Sequence, residues 1–342
     1  IGPSDLVFDN GGRLYVMDLA TEQARAVEVK VVTDRASLLP RPVEVGARIA
    51  GGDISPSGKQ AVLEARGDVF TLPAEHGVVR NLTRTSGVAE RLPEWSPDGQ
   101  HIAYFSDRSG EYELMIRPAD GSGGEETLTS LGAGYRYTPM WSPDSTKIVF
   151  IDNLQVIRLL DVATKEITKI DHGRWMTHPP LANFSVSWSS DSRCFAYSRG
   201  LENRQDAIFL YDTTSGERHQ VTSGFVDCSG PVFDPDDSYL YYLSDRSFSP
   251  SYSDFDPTWI YAYSTNIGAV PLRADVPSPL APRNDVEETA DGDDEEKHED
   301  GEDADASEEE KEPVAIDIEG FEARAVVLPP DAGNYSDLAA VK

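Results

Sequence analysis

A five-residue turn, Trp95-Ser96-Pro97-Asp98-Gly99, recurs along the chain and limits what it can fold into. Ile54 opens ISPSG, Trp141 opens WSPDS, Trp188 opens WSSDS and Phe233 opens FDPDD, at successive steps of 41, 46, 47 and 45 residues. Proline at the first turn position pre-sets φ, and glycine accepts φ > 0, so each copy marks a tight turn. A strand-like run follows every turn: KQAVLEA, HIAYFSD, KIVFIDN, RCFAYSR and YLYYLSD. Alternation of apolar and polar residues, rich in β-branched and aromatic types, reads as strand and not helix. A second strand comes next: VFTLPAEHG, ELMIRPADG, VIRLLDVATK, IFLYDTTSG and, less regularly, WIYAYSTNIG. A short closing strand ends most units, as in RNLT, ETLT and HQVT.

Four short strands per period of about 45 residues is the pattern of a β-propeller blade. One four-stranded sheet cannot bury both of its faces; stacked radially, each covers its neighbour. The fold expected is therefore all-β, a β-propeller of four-stranded antiparallel blades, with the opening aromatic residues packed between blades. Residues 1–46 read as the last partial blade of a preceding propeller plus a connector, and residues 47–284 as five blades. The second and third strands of the fifth are interrupted by SFSPSYSDFDPTW. Residues 313–342 read as the outer strand of the fifth blade followed by the first strand of the next. The chain is then part of a larger, seven-bladed propeller cut from a longer protein. The alternative is a six-bladed ring in which the last strand joins the three N-terminal ones.

Charge is uneven. The net charge is −30, and residues 285–312 carry 17 acidic residues against two lysines, half of that total. This tract has no aromatic residue and few aliphatics, so it is expected to be a disordered, solvated insert and not an acidic interaction tail or calcium sink. No EF-hand spacing occurs. The remainder is mildly acidic, which excludes a general nucleic-acid or membrane-surface binder, since both need basic patches. No apolar run is long enough to span a membrane. Cys194 and Cys228, one repeat apart, are expected as two buried free thiols in preference to a cross-blade disulfide.

The sequence lacks catalytic machinery. It has no G-x-S-x-G, no HExxH and no C-x-x-C, and no nucleophile stands with a base and an orienting group. None of the six histidines forms a ligand-like pair; His172 and His178 lie in a Gly/Pro-rich loop. No cofactor and no metal are expected. Segments that precede the first strand of a blade should sit at the channel mouth of a propeller. They contain Glu90 and Arg91, then Tyr135, Arg136 and Tyr137, then Asp227. Their mixture of charge and aromatic groups suits a polar entrance for extended peptide, and equally suits ordinary surface loops.

Two longer strings, RPVEVGARIAGGDISPSGKQAVLEARGDVFTLPAEHG and RNLTRTSGVAERLPEWSPDGQHIAYFSDRSGEYELMIRPADGSG, resemble the tricorn protease family in its seven-bladed propeller. VPLRADVPSPLAPRND and IEGFEARAVVLPPDAGNYSDLAAVK are similar to its later blades. The WSPDG repeats by themselves are shared with TolB-type propellers and with prolyl-oligopeptidase-like enzymes. The resemblance implies a large cytoplasmic serine peptidase of hexameric build, with a periplasmic or secreted location as the alternative. It also implies that this segment guides peptide substrates to an active site carried by other domains of the parent chain. A TolB-like scaffold for protein partners is the rival expectation. The family's catalytic serine and histidine lie beyond Lys342, so the resemblance transfers no catalytic residue.

Overall fold

The computed structural model describes residues 2, 4–30, 32, 43–175, 180–282 and 313–341. The acidic tract at 285–312, His178, and most of the connector before residue 46 lie outside the described residues. The chain divides into two compact units, Ile1–Glu44 and Val45–Lys342.

The first unit is a three-stranded antiparallel sheet of β1 (Asp5–Asn10), β2 (Arg13–Asp18) and β3 (Ala24–Val27). Gly11 and Gly12, at φ 58° and 74°, join β1 to β2. Two consecutive positive φ angles are what a two-residue hairpin turn needs, and glycine takes them without strain. Phe8 and Tyr15 face each other in register and stack at 5.4 Å.

The second unit contains five four-stranded antiparallel sheets in sequence order. They are β4 (Ile49–Ile54) to β7 (Arg80–Asn81), β8 (Glu90–Trp95) to β11 (Glu126–Thr127), β12 (Met140–Trp141) to β15 (Ile167–His172), and β16 (Val186–Trp188) to β19 (Arg218–Gln220). The fifth is built from β20 (Cys228–Phe233), β21 (Tyr239–Ser244), β24 (Asn266–Pro271) and β25 (Val326–Val327). Each follows the meander expected of a propeller blade.

Period-2 alternation explains how the sheets stack. In β9 (His101–Ser106), Ile102 and Tyr104 pack with Val62 and Val69 of the first sheet, whereas Ala103 and Phe105 pack with Ile148 and Phe150 of the third. In β13 (Lys147–Ile151), Ile148 and Phe150 look back while Val149 and Ile151 meet Phe195 and Tyr197 of the fourth. In β17 (Cys194–Gly200), Cys194 and Ala196 turn the other way, to Leu240 and Tyr242 of the fifth. A strand hydrophobic on both faces is the signature of a sheet covered on both faces. The opening residues Trp95, Trp141 and Phe233 are 7, 9 and 6% exposed and each packs against the preceding sheet. Ile54, which opens the first sheet, is 67% exposed.

The repeated turn is also explained. In the second, third and fourth copies the serine is buried, its Oγ donates to the aspartate two residues on, and it accepts the amide five residues on. Ser96 bonds Asp98 at 2.5 Å and the His101 amide at 2.9 Å; Ser142 and Ser189 repeat the pattern. Neighbouring turns are tied as well: the Asp98 amide donates to Ser145 Oγ at 3.0 Å and the Asp144 amide to Ser192 Oγ at 2.9 Å. The side chains of the most repeated motif are thus spent on backbone, which is the use these residues have in turns.

Three expectations are corrected. Trp259 and Ile260 do not begin the third strand of the fifth sheet. They pair with Ser251 and Tyr252 in a separate hairpin, β22 (Ser251–Tyr252) and β23 (Trp259–Ile260). The third strand is β24, whose register with β21 buries Ala269 and Val270 and leaves Trp259 outside. Residues 334–341 form no strand. The outer strand of the fifth sheet is only two residues long; before it, Val314, Ile316 and Ile318 run at every second position against the core between the fourth and fifth sheets. Cys194 and Cys228 share that same core as free, buried thiols.

Candidate functional site

The antiparallel register places the start of each first strand, the end of the second and the start of the third at one end of a sheet. Glu90 pairs with Ser106, Arg136 bridges Asp152, and Cys228 pairs with Ser244, which pairs with Asn266. The sequence-expected mouth residues therefore occupy this end, but they do not form one cluster. Glu90 is fully buried; Thr85 Oγ1 donates to its carboxylate at 2.6 Å, and burial raises its pKa. Tyr137 is buried in the core between the third and fourth sheets. Arg136 is buried, with one guanidinium nitrogen donating to the Gly134 carbonyl at 2.6 Å.

Arg91 and Tyr135 do meet. The Arg91 guanidinium lies 5.4 Å from the Tyr135 ring and donates to Glu64 at 3.3 Å. Tyr135 makes edge contacts with Tyr112 and Tyr137 at 5.4 and 5.0 Å. Asp227 stands apart, on the approach to β20, and accepts the Asp206 amide at 2.6 Å. Burial, and then the Asp227 charge, raise the pKa of Asp206.

A cavity of about 1030 Å³ was not legible in the sequence. It lies against the first strands of the fourth and fifth sheets. Ser185, Ser187, Val186, Ser229 and Val232 line one side and residues 335–340 the other. β16 and β20 are end strands of their sheets, so their free edges carry backbone donors and acceptors that no strand pairs. The Phe233 amide is already used, donating to Ser187 Oγ at 2.9 Å across the seam. Arg174, Arg204, Asp206 and Asp337 add both signs of charge. The lining is hydroxyl-rich and mixed in charge, which fits an extended polar chain better than a compact apolar ligand.

Two further polar seams join sheets. Between the first and second, Asp53 accepts the Trp95 amide at 2.9 Å and lies beside Glu94. Burial, then the Asp53 charge and a hydrogen bond to it, push the Glu94 pKa up to about 8. Between the third and fourth, Asp171 accepts from Arg199 at 2.7 Å, Arg218 at 2.5 Å and Tyr197 at 2.9 Å. His172, next to it, is exposed on an outer strand. Among the described residues no group of His, Cys, Asp and Glu could hold a metal ion, and no helix is long and apolar enough to cross a membrane.

Sheets stacked face to face, each a four-stranded meander with its first strand at one edge, define a β-propeller. The family model for the tricorn protease second β-propeller domain matches residues 49–342, and the chain belongs to that family. It is 26% identical over 99% of its length to tricorn protease homolog 1 of Streptomyces coelicolor, covering 31% of that protein. It is 27% identical over 80% of its length to the tricorn protease of Thermoplasma volcanium, covering 26%. A crystal structure of the tricorn protease superposes on 97% of the chain with a TM-score of 0.65 at 19% identity, and the chain covers 30% of it. The resemblance read in the sequence is borne out, and the chain spans less than a third of these relatives.

Proposed function

We propose that this chain is a non-catalytic propeller segment of a tricorn-like serine peptidase, and that it guides or gates peptide substrates towards an active site carried elsewhere in the same polypeptide. Membership of the second-propeller family carries this reading. The cavity along β16 and β20 supports it, because end strands with free edges can hold extended peptide by main-chain hydrogen bonds. Of the expected mouth residues, Arg91, Tyr135 and Asp227 keep solvent contact and are the ones to touch a passing chain. The five sheets form part of a seven-bladed ring, and residues 1–46 finish a preceding propeller. The parent protein is cytoplasmic and hexameric on this view.

The test uses the full-length protein with Val232→Trp, which narrows the cavity. For a long unstructured peptide kcat/KM should fall about tenfold, equivalent to about 1.4 kcal/mol, while a short chromogenic substrate is cleaved as before. Equal effects on both substrates, or none on either, would exclude passage along this cavity.

A further inference from the structure

The insert between β21 and β24 is the most exposed aromatic surface among the described residues. Phe248, Tyr252, Phe255, Trp259, Tyr261 and Tyr263 are 55–102% exposed, and none belongs to a core cluster. Yet the segment is ordered locally. Tyr252 and Trp259 pair across the hairpin at 5.5 Å, and Phe248 contacts Tyr261 at 5.9 Å. Its tip is fixed by the Ser253 amide donating to the Thr258 carbonyl at 3.0 Å and by Thr258 Oγ1 donating to Asp256 at 2.6 Å.

Size sets this patch apart from ordinary surface. An aromatic side chain presents roughly 200 Å², so the six together expose on the order of 800 Å². The largest apolar patch on a typical monomer is about 300–600 Å². One partner of a standard-size stable interface buries about 800 Å². A two-stranded hairpin is marginal in water without a third element to pack on. Its position is informative too. The Tyr263 amide donates to Asn334 Oδ1 at 3.2 Å, and Thr265 and Gly333 exchange two backbone hydrogen bonds. The chain therefore returns to the foot of the hairpin near its C-terminal end, within about 25 Å of residue 341 even if fully extended. The matched part is about a third of the relatives' length, since the chain covers 31% of one and 30% of another.

We infer that this hairpin is a permanent docking surface for a part of the same polypeptide outside residues 1–342, and that the docked surface is apolar and carries Arg or Lys side chains. Asp254 and Asp256 at the tip supply the matching charge. The same pair weighs against a second copy of the chain, because an isologous contact would bring the tips and two chains of net charge −30 together. Nothing in this inference requires peptides to pass through the propeller.

The test is photo-cross-linking in the full-length protein carrying Phe255→p-benzoylphenylalanine, a site fully exposed here and therefore tolerant of change. The expected product is an internal cross-link of monomer mass on a denaturing gel, with mass spectrometry placing its partner peptide outside residues 1–342. A product of doubled mass would assign the surface to a second chain and overturn the inference. So would attachment within residues 1–341, or no adduct together with native Trp259 oxidised by hydroxyl radicals as fast as in urea. Peptidase activity on long and short substrates is read separately, so failure here leaves the cavity reading standing.

Discussion

Glu94 offers a quantitative test of the seam between the first two sheets. In the folded state its pKa is raised from 4.5 to about 8, first by burial and then by the neighbouring Asp53 carboxylate. Asp53 stays committed there, because it accepts the Trp95 amide at 2.9 Å and the Ile54 amide at 2.7 Å. The folded protein thus keeps a proton that the unfolded chain releases above about pH 4.5. Stability contributed by this carboxyl group is complete below that pH, declines as pH rises, and is gone above about 8. At about 1.4 kcal/mol per pH unit the full span corresponds to roughly 5 kcal/mol. That is a ceiling, since Glu94 keeps some solvent contact. Glu94→Gln removes the titration while keeping the shape and a donor to Asp53. Urea unfolding followed by tryptophan fluorescence, at pH 5 to 9, should show variant and wild type nearly equal at pH 5. The variant should gain progressively, by on the order of 3 kcal/mol at pH 8.5, most of the desolvation cost of one ion. Parallel curves, or a variant that loses ground as pH rises, would refute the assignment.

Other expectations follow from the same geometry. Asp171→Asn should cost about 3 kcal/mol, because it leaves the mostly buried Arg199 guanidinium without its counter-charge; an unchanged urea midpoint would contradict this. A Cβ on Gly268 would stand 2.7 Å from the Tyr242 ring, which is 1% exposed. Gly268→Ala should therefore lower stability by about 1–3 kcal/mol, as overpacking does, and calorimetry of the variant checks it. Burial raises the thiol pKa of Cys228 and pushes that of Cys194 up to about 12. Both cysteines should ignore a chromogenic disulfide reagent at pH 8 and react fully in urea; rapid reaction of native protein would show that the core between the fourth and fifth sheets opens.

The WSPDG spacing determined a great deal without any structure. A turn every 41–47 residues, followed by strands apolar on both faces, leaves radial stacking as the way to bury them. The strings around Asp53 and Trp95 located the family. The absence of nucleophile, base and metal motifs was equally readable, because those signatures are local.

Tertiary register decided the rest. Glu90, Arg91, Tyr135 and Tyr137 look alike as charged or aromatic loop residues. Glu90 and Tyr137 are buried, while Arg91 and Tyr135 meet across a seam. Trp259 and Ile260 are as strand-prone as the true third strand, and only pairing with Tyr239–Ser244 selects Asn266–Pro271. The polar seams join residues 26 to 47 apart, as in Asp171 with Tyr197 and with Arg218. A burial pattern repeats along the chain and can be read from it; a hydrogen bond between neighbouring sheets depends on how they align, and that is fixed only when the sheets have stacked.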